Sequence, residues 1–235
     1  TTFQFSLLST SMYLLIYGAM QIPVGLIVDN YGLKKSLFVG SAICTLSAFG
    51  FAYAHDFYFA LFFRELTGLG SSFGFICLLI AVYEWMPRRH IALLIGLSQF
   101  VGTLGPMIAA GPINALAEGS TTSWREVFVA LAWVGVVLTA VILLIVKNSE
   151  KIQGSYSILR RPERVKSNMK QLFSRYQPWA IAIFSAGIYF AIEFLSENEG
   201  KGFISLKGYS SHFSSYMLTL AWLGYAIGCP LLGFL

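Results

Sequence analysis

The stretch GLIVDNYGLKK, residues 25 to 35, joins two apolar runs and decides how the chain folds. Residues 1 to 28 and 36 to 55 contain no Lys, Arg, Asp or Glu. Each run is long enough to cross a hydrocarbon core of about 30 Å as an α-helix. The acid, the glycines and the lysines between them therefore indicate a loop where one membrane helix ends and the next begins.

Composition places the whole chain in a membrane. Of its 235 residues, 56% are hydrophobic and 11% are charged, and the mean hydropathy is +0.68, values that exclude a soluble domain. Five more runs without charge follow, at 66 to 83, 91 to 117, 127 to 146, 179 to 192 and 213 to 235. The run 179 to 192 spans only if Glu193 is carried inside. We predict an all-α polytopic membrane protein with seven helices, because the short alternating segments of a barrel are absent.

The basic residues indicate the topology. Alternate connections, starting with the one that holds Lys34 and Lys35, contain twelve of the 16 Lys and Arg residues, whereas the other connections contain three. Loops rich in Lys and Arg stay on the cytoplasmic side. We therefore expect a multi-pass protein of the cytoplasmic (inner or plasma) membrane that begins outside and ends inside. The net charge of +5 reflects topology and lipid contact rather than nucleic-acid binding.

The longest connection divides the chain. We predict a first helical bundle over residues 1–146, a basic cytoplasmic loop between domains over 147–178, and the start of a second bundle over 179–235. The sequence opens on TTFQF without an initiator Met and stops inside an apolar run, so we expect both ends to be cut.

Five residues of the opening stretch have a shared pattern. Gly25, Asp29, Gly32, Lys34 and Lys35 resemble the signature loop of the major facilitator superfamily. Gly25 and Asp29 are four residues apart and share a helix face, and Gly32 permits a tight reversal. The resemblance implies that Asp29 lies against the N-terminus of a helix from the other half in one gate state, where the helix dipole favours a negative charge.

One position departs from the family pattern. Asn30 stands where the family usually has Arg or Lys directly after the aspartate. We therefore expect Lys34 or Lys35 to supply the charge pairing within the domain, with Glu84 as the acceptor.

A second match lies in the third apolar segment. Arg64, Gly68 and Gly70 resemble the R-x-x-x-G-x-G motif of the family's fourth helix. An arginine within a span is costly and usually faces a partner or a wet cavity. Glu65 or backbone carbonyls are the alternative, structural partners. Gly70 and Gly74 form a small-x-x-x-small pair that lets a neighbouring helix come close.

Later segments extend the resemblance. Gly105 and Pro106 lie where the family has the glycine-proline motif of its fifth helix, and they predict a kink and close packing. SWREVF, 123 to 128, resembles the start of the family's sixth helix. The resemblance thus implies that the seven segments are family helices two to eight, with the first and the last four outside the sequence.

The resemblance implies secondary transport of a small polar solute by alternating access, with two halves that rock around a site at the midplane. Arg64, Glu193, Gln21 and Asn114 are the cavity candidates. Proton coupling, as in a symporter, is a further hypothesis that rests on Glu193. The expected partners are the solute and the bilayer, the protein is expected to act as a monomer, and no cofactor is expected.

Two other classes stay open or are disfavoured. A membrane sensor or receptor with a transporter fold but no solute flux remains the alternative function. An enzyme or a metal site is not expected, because His55, His90 and His212 lie on different loops and no ligands converge. Arg64 would suit an organic anion, whereas Glu193 would suit a cation.

Overall fold

A computed structural model describes residues 4, 8, 12–109, 123–147, 170, 173–194 and 200–234. Within these residues the chain forms eight α-helices and no strand, which confirms the predicted all-α class. The helices are α1 (Met12–Tyr31), α2 (Leu33–Ala52), α3 (Phe57–Trp85), α4 (Ile91–Ile108), α5 (Trp124–Ile145), α6 (Tyr176–Glu193), α7 (Gly200–Leu206) and α8 (Ser211–Phe234). A single 3-10 turn, Arg88–His90, precedes α4.

Six of these helices are long and apolar enough to cross a membrane: α1, α2, α3, α4 with the turn before it, α5 and α8. The prediction of a multi-pass membrane protein is therefore confirmed, whereas the particular membrane stays a prediction. The remaining predicted span corresponds to α6, which has 18 residues and ends at Glu193. Because α6 is not among the six, a seventh span stays a prediction.

Local chemistry explains where the helices begin. Gly32, between α1 and α2, has φ 84° and ψ 164°, a backbone region that is open almost only to glycine. Asp56 caps α3 by accepting a hydrogen bond from the Phe59 amide at 2.9 Å. Ser123 and Glu126 form a capping box at the start of α5. Turns and caps therefore set the helix boundaries at positions that the sequence makes visible.

Packing divides the chain into two units, residues 1–88 with 121–150 and residues 89–120 with 151–235. In the first unit α3 packs against α1 and α2, and α2 also packs against α5. In the second unit α4 packs against α8, and α8 against α7. The predicted first bundle, 1–146, includes α4, which packs here with α8. The predicted boundaries between the sequence halves are not tested by this grouping and stay a prediction.

The core of the first unit lies beside the loop between α1 and α2. Val24 and Val28 of α1 are fully buried, and they cluster with Leu33, Phe73 and Cys77. Val28 lies four positions before Gly32 and Leu33 lies one position after it. The turn at Gly32 is thus held in place by apolar contacts on both of the helices that it joins.

Candidate functional site

The predicted signature loop is a tight turn on the surface of this core. Asp29 is half-buried in the last turn of α1, directly after the fully buried Val28. Asn30 is exposed, and its side-chain amide donates to the Leu26 carbonyl at 2.8 Å. A Cβ atom placed on Gly25 would meet no described atom within 4 Å. Gly25 and Asp29 therefore leave a face of α1 with room for a neighbour, and the predicted gate contact of Asp29 stays a prediction.

The basic residues of this loop lie at the start of α2. Lys34 is half-buried and Lys35 is exposed, and Glu84 is half-buried near the end of α3. Since α2 runs back from Gly32 and α3 packs against both α1 and α2, these three residues lie at the same end of the first unit. Pairing of a lysine with Glu84 stays a prediction.

Arg64 lies inside the span of α3 and is half-buried. Its Nε donates to the Leu8 carbonyl at 3.0 Å, and its guanidinium carbon lies 4.9 Å from the centre of the Tyr13 ring. A carbonyl dipole and an aromatic face both stabilise a cation in apolar surroundings. Of the alternatives that the sequence left open, a backbone carbonyl is therefore one partner that the structure shows.

The glycines of α3 form helix crossings. A Cβ atom on Gly68 would lie 2.7 Å from the Tyr13 carbonyl oxygen, so α1 approaches α3 closely there. A Cβ atom on Gly70 would lie 2.7 Å from Cys44 Sγ and 2.9 Å from the Gly40 carbonyl oxygen. A Cβ atom on Gly74, the other member of the predicted pair, would meet none of the described atoms within 4 Å. Only half of that small-residue pair is used in the first unit.

The motif glycine of α4 is not the one that makes a close contact. Gly105 is exposed with open space around it, and Pro106 lies inside the helix. The close contact is at Gly96, which is buried and whose added Cβ would lie 2.5 Å from the Cys229 carbonyl oxygen of α8. A Cβ atom added to Gly233 of α8 would in turn lie 2.5 Å from the Ala92 carbonyl oxygen.

Sequence reasoning missed this crossing of α4 and α8. A signal was present, because Ala92 with Gly96 and Cys229 with Gly233 are both small residues four positions apart. Such pairs let two backbones meet in a membrane. Neither pair is among the residues that resemble a family motif, whereas Gly105 is, and the sequence therefore predicted the close packing at Gly105.

The described part of the structure does not place three of the four predicted cavity residues in a cavity. Gln21 is half-buried and donates to the Tyr17 carbonyl one turn earlier, at 3.4 Å. Asn114 lies outside the described residues. Glu193 is the last residue of α6, and its side chain is not described. A cavity role for these residues stays a prediction.

Hydroxyl groups connect α2 to its neighbours in the first unit. Thr139 of α5 donates to Ser41 at 3.2 Å and lies 3.4 Å from the Thr45 hydroxyl, and Ser47 lies 2.9 Å from the Thr67 hydroxyl of α3. A cavity of about 280 Å³ lies beside these groups and is lined mainly by small and aliphatic residues of α2, α3 and α5. Hydrogen bonds between helices are the usual role of hydroxyls in a membrane.

No cluster of three His, Cys, Asp or Glu residues exists within the described ranges. Cys44 and Cys229 instead lie at the two glycine crossings, and Cys77 is in the core of the first unit. The cysteines therefore act as small packing residues.

Comparisons with known proteins give a consistent family. A family model described as Major Facilitator Superfamily matches residues 1–235. The chain is similar to an uncharacterized protein of Campylobacter jejuni, 28% identical over 168 residues, which make up 68% of this chain and 47% of that protein. It is 29% identical over 133 residues to a Cupriavidus necator protein named "Probable sulfoacetate transporter SauU", covering 57% of this chain and 30% of the relative.

A third relative is "Uncharacterized transporter YybO" of Bacillus subtilis, 24% identical over 186 residues, which cover 74% of this chain and 42% of the relative. The matches thus span less than half the length of each of these three relatives. No solved structure matches the chain.

Proposed function

Because the chain belongs to the Major Facilitator Superfamily, we propose that it carries out secondary transport of a small polar solute by alternating access. Two relatives named as transporters and six helices that can span a membrane support a role in membrane transport in general. The same findings point to a transporter rather than an enzyme.

The observation that supports alternating access most directly is the crossing of α4 and α8. These helices come from opposite sides of the long basic segment, yet they meet backbone to backbone at Gly96 and Gly233. A crossing formed by small residues has no interdigitated side chains to unlock, so two rigid helices can separate there and meet again.

The position of the crossing fits a gate. Gly96 is five residues into α4, just after the basic pair Arg88 and Arg89, and Gly233 is one residue before the end of α8. In the topology that the basic residues favour, both positions lie toward the cytoplasmic side. The packed crossing then corresponds to a conformation that is closed on the inside. Asp29 at the end of α1 is a separate proposed gate contact.

We further propose a small organic anion as the solute class. Arg64 places a permanent positive charge within a span, and a guanidinium suits a carboxylate or sulfonate. The relative named as a sulfoacetate transporter makes sulfoacetate the first compound to test. Proton coupling through Glu193 is a separate proposal, for which loss of pH dependence in Glu193→Gln is the expected result.

The test uses the full-length protein. Purified protein is screened by thermal shift against organic anions, sugars, amino acids and organic cations, because a ligand that binds only the folded state raises the melting temperature. Hits are then tested for counterflow in proteoliposomes. We expect an anion to stabilise the protein and to be exchanged across the membrane.

The outcomes distinguish a transporter from a sensor and an anion from a cation as the solute. Stabilisation by a compound that is never exchanged would favour a sensor with a transporter fold. Stabilisation by cations alone would contradict the proposed anion class. As a further check, Asp29→Asn is expected to slow exchange strongly while leaving the thermal shift intact, because the change affects a gate contact rather than the solute site.

A further inference from the structure

Trp222 of α8 carries a buried hydrogen-bond donor for which the described part of the chain provides no acceptor. The side chain is 4% exposed, and its indole Nε1 has no hydrogen-bond partner among the described residues. Its neighbour Tyr225 contacts it edge to face, with ring centres 6.0 Å apart. An unpaired N–H in hydrocarbon is strongly unfavourable, because no water is there to accept from it.

By its helix register, Trp222 lies on the face of α8 that meets α4. Trp222 lies seven residues before Cys229 and eleven before Gly233, so all three share one face of α8. On α4, Thr103 lies seven residues after Gly96 and shares its face. Because the two helices run in opposite directions, with Ala92 near Gly233 and Gly96 near Cys229, Trp222 and Thr103 are opposite each other about two turns further along.

The depth of this pair matches that of a solute site. Trp222 is twelve residues from the end of α8, and Thr103 is twelve residues from the start of α4. At 1.5 Å per residue each lies about 18 Å from the helix end near the crossing. In a core of about 30 Å that is close to the midplane, where transporters hold their solutes. The Thr103 hydroxyl donates to the Phe100 carbonyl at 2.8 Å, and its oxygen is not bonded to the indole.

We propose that the Trp222 indole N–H is a solute-binding donor that is covered whenever α4 and α8 are packed as seen here. A phenylalanine would fill the interface without an unpaired donor. The indole N–H therefore contributes favourable free energy only in a conformation where an acceptor reaches it. Separation of α4 from α8 supplies that conformation. The unpaired N–H then disfavours the packed crossing, and the oxygen that pairs with it favours the separated one.

The chemistry of the indole defines its ligand. An indole N–H only donates, so its partner is an acceptor oxygen such as that of a carboxylate, a sulfonate or a hydroxyl group. The inference deepens the proposed function and rests on it for the identity of the solute, although a water oxygen could supply the same chemistry.

The native Cys229 provides the test, because it lies at the crossing. In full-length protein with every other cysteine replaced, the rate of Cys229 labelling by N-ethylmaleimide reports how often α4 and α8 separate. Two replacements remove the donor: Trp222→Phe, and 3-benzothienylalanine at position 222, which keeps the shape of the ring system and has sulfur in place of the N–H. Both are expected to slow labelling about fivefold or more, because the packed crossing no longer buries an unpaired donor.

Trp133→Phe is the matched control, since Trp133 is 61% exposed on α5 and loses the same N–H. It should leave the labelling rate unchanged. An unchanged or faster rate with benzothienylalanine at position 222 would overturn the inference, whether or not Trp222→Phe folds.

Sulfoacetate distinguishes the two sources of oxygen. If the solute supplies it, the Kd of sulfoacetate should rise about tenfold in the benzothienylalanine protein and stay constant in Trp133→Phe. If the benzothienylalanine protein has the wild-type Kd but slower labelling of Cys229, the oxygen comes from water. This result would overturn the role of Trp222 in solute binding. Failure of the wild-type protein to bind sulfoacetate would contradict the proposed solute, and the labelling result would still decide whether the N–H controls the crossing.

Discussion

Gly96 of α4 lies directly against the backbone of Cys229 in α8. A Cβ atom added to Gly96 would be 2.5 Å from the Cys229 carbonyl oxygen and 2.9 Å from the Pro230 Cα atom. Backbone atoms cannot rotate away as a side chain can, so the two helices must move apart to accept even a methyl group. The crossing is therefore sensitive to the smallest possible enlargement of one residue.

Gly96→Ala is expected to destabilise the packed crossing by about 1–3 kcal/mol, the usual effect of overpacking a well-packed contact. Labelling of Cys229 by a small maleimide should become roughly tenfold faster, since 1.4 kcal/mol corresponds to a factor of ten, and net uptake should fall. Gly102→Ala is the matched control on the same helix, because its nearest atom, Gln99 Oε1, is 3.9 Å away. Equal labelling rates in the two variants would contradict the role of Gly96.

The two glycines of α3 that the sequence paired are expected to respond in opposite directions. Gly70→Ala places a methyl group against Cys44 and Gly40 and should lower the melting temperature in detergent, by the equivalent of about 1–3 kcal/mol. Gly74→Ala meets open space and should raise it slightly, since alanine is a better helix former by about 1 kcal/mol. A thermal unfolding series measures both, and a lower melting temperature in Gly74→Ala would show that something covers that position.

These contrasts show what the sequence could and could not predict. Charged residues are costly in hydrocarbon, so the boundary between α1 and α2 near Asp29 and Lys34 was predictable from charge alone. Gly32 was predictable because its reversal needs a backbone conformation that glycine adopts. The small-residue spacing at Ala92 and Gly96 was visible in the sequence, but spacing alone does not show which glycine contacts a neighbour, because an apolar helix in lipid has no polar face that shows which side packs. Gly105 matched a motif yet is open, while Gly96 matched none and is buried.

Arg64 is predicted to act in solute binding through the shape of its guanidinium. Arg64→Lys keeps the charge but loses the planar group and the Nε donor that bonds to the Leu8 carbonyl. Exchange of the anion identified by thermal shift should fall tenfold or more, mainly through a higher KM, whereas the loss of one hydrogen bond should change stability by only about 1 kcal/mol. Tyr13→Phe retains the ring beneath the guanidinium and should leave KM near that of the wild type. An Arg64→Lys protein with normal KM would assign the residue a structural role.

Gly32 is expected to be intolerant of any side chain because of its backbone conformation. With φ at 84° and ψ at 164°, alanine at this position would occupy a region that costs about 1–3 kcal/mol. Gly32→Ala should therefore lower the melting temperature and slow exchange together, because the turn sets the positions of Asp29 and Lys34.

Gly25→Ala tests the other glycine of the loop, which is helical and has open space, and it should leave the melting temperature unchanged or slightly higher. If Gly25→Ala abolishes exchange without loss of stability, the face of α1 that carries Gly25 and Asp29 must meet another helix during turnover. If exchange is unaffected, that face is not part of the gate.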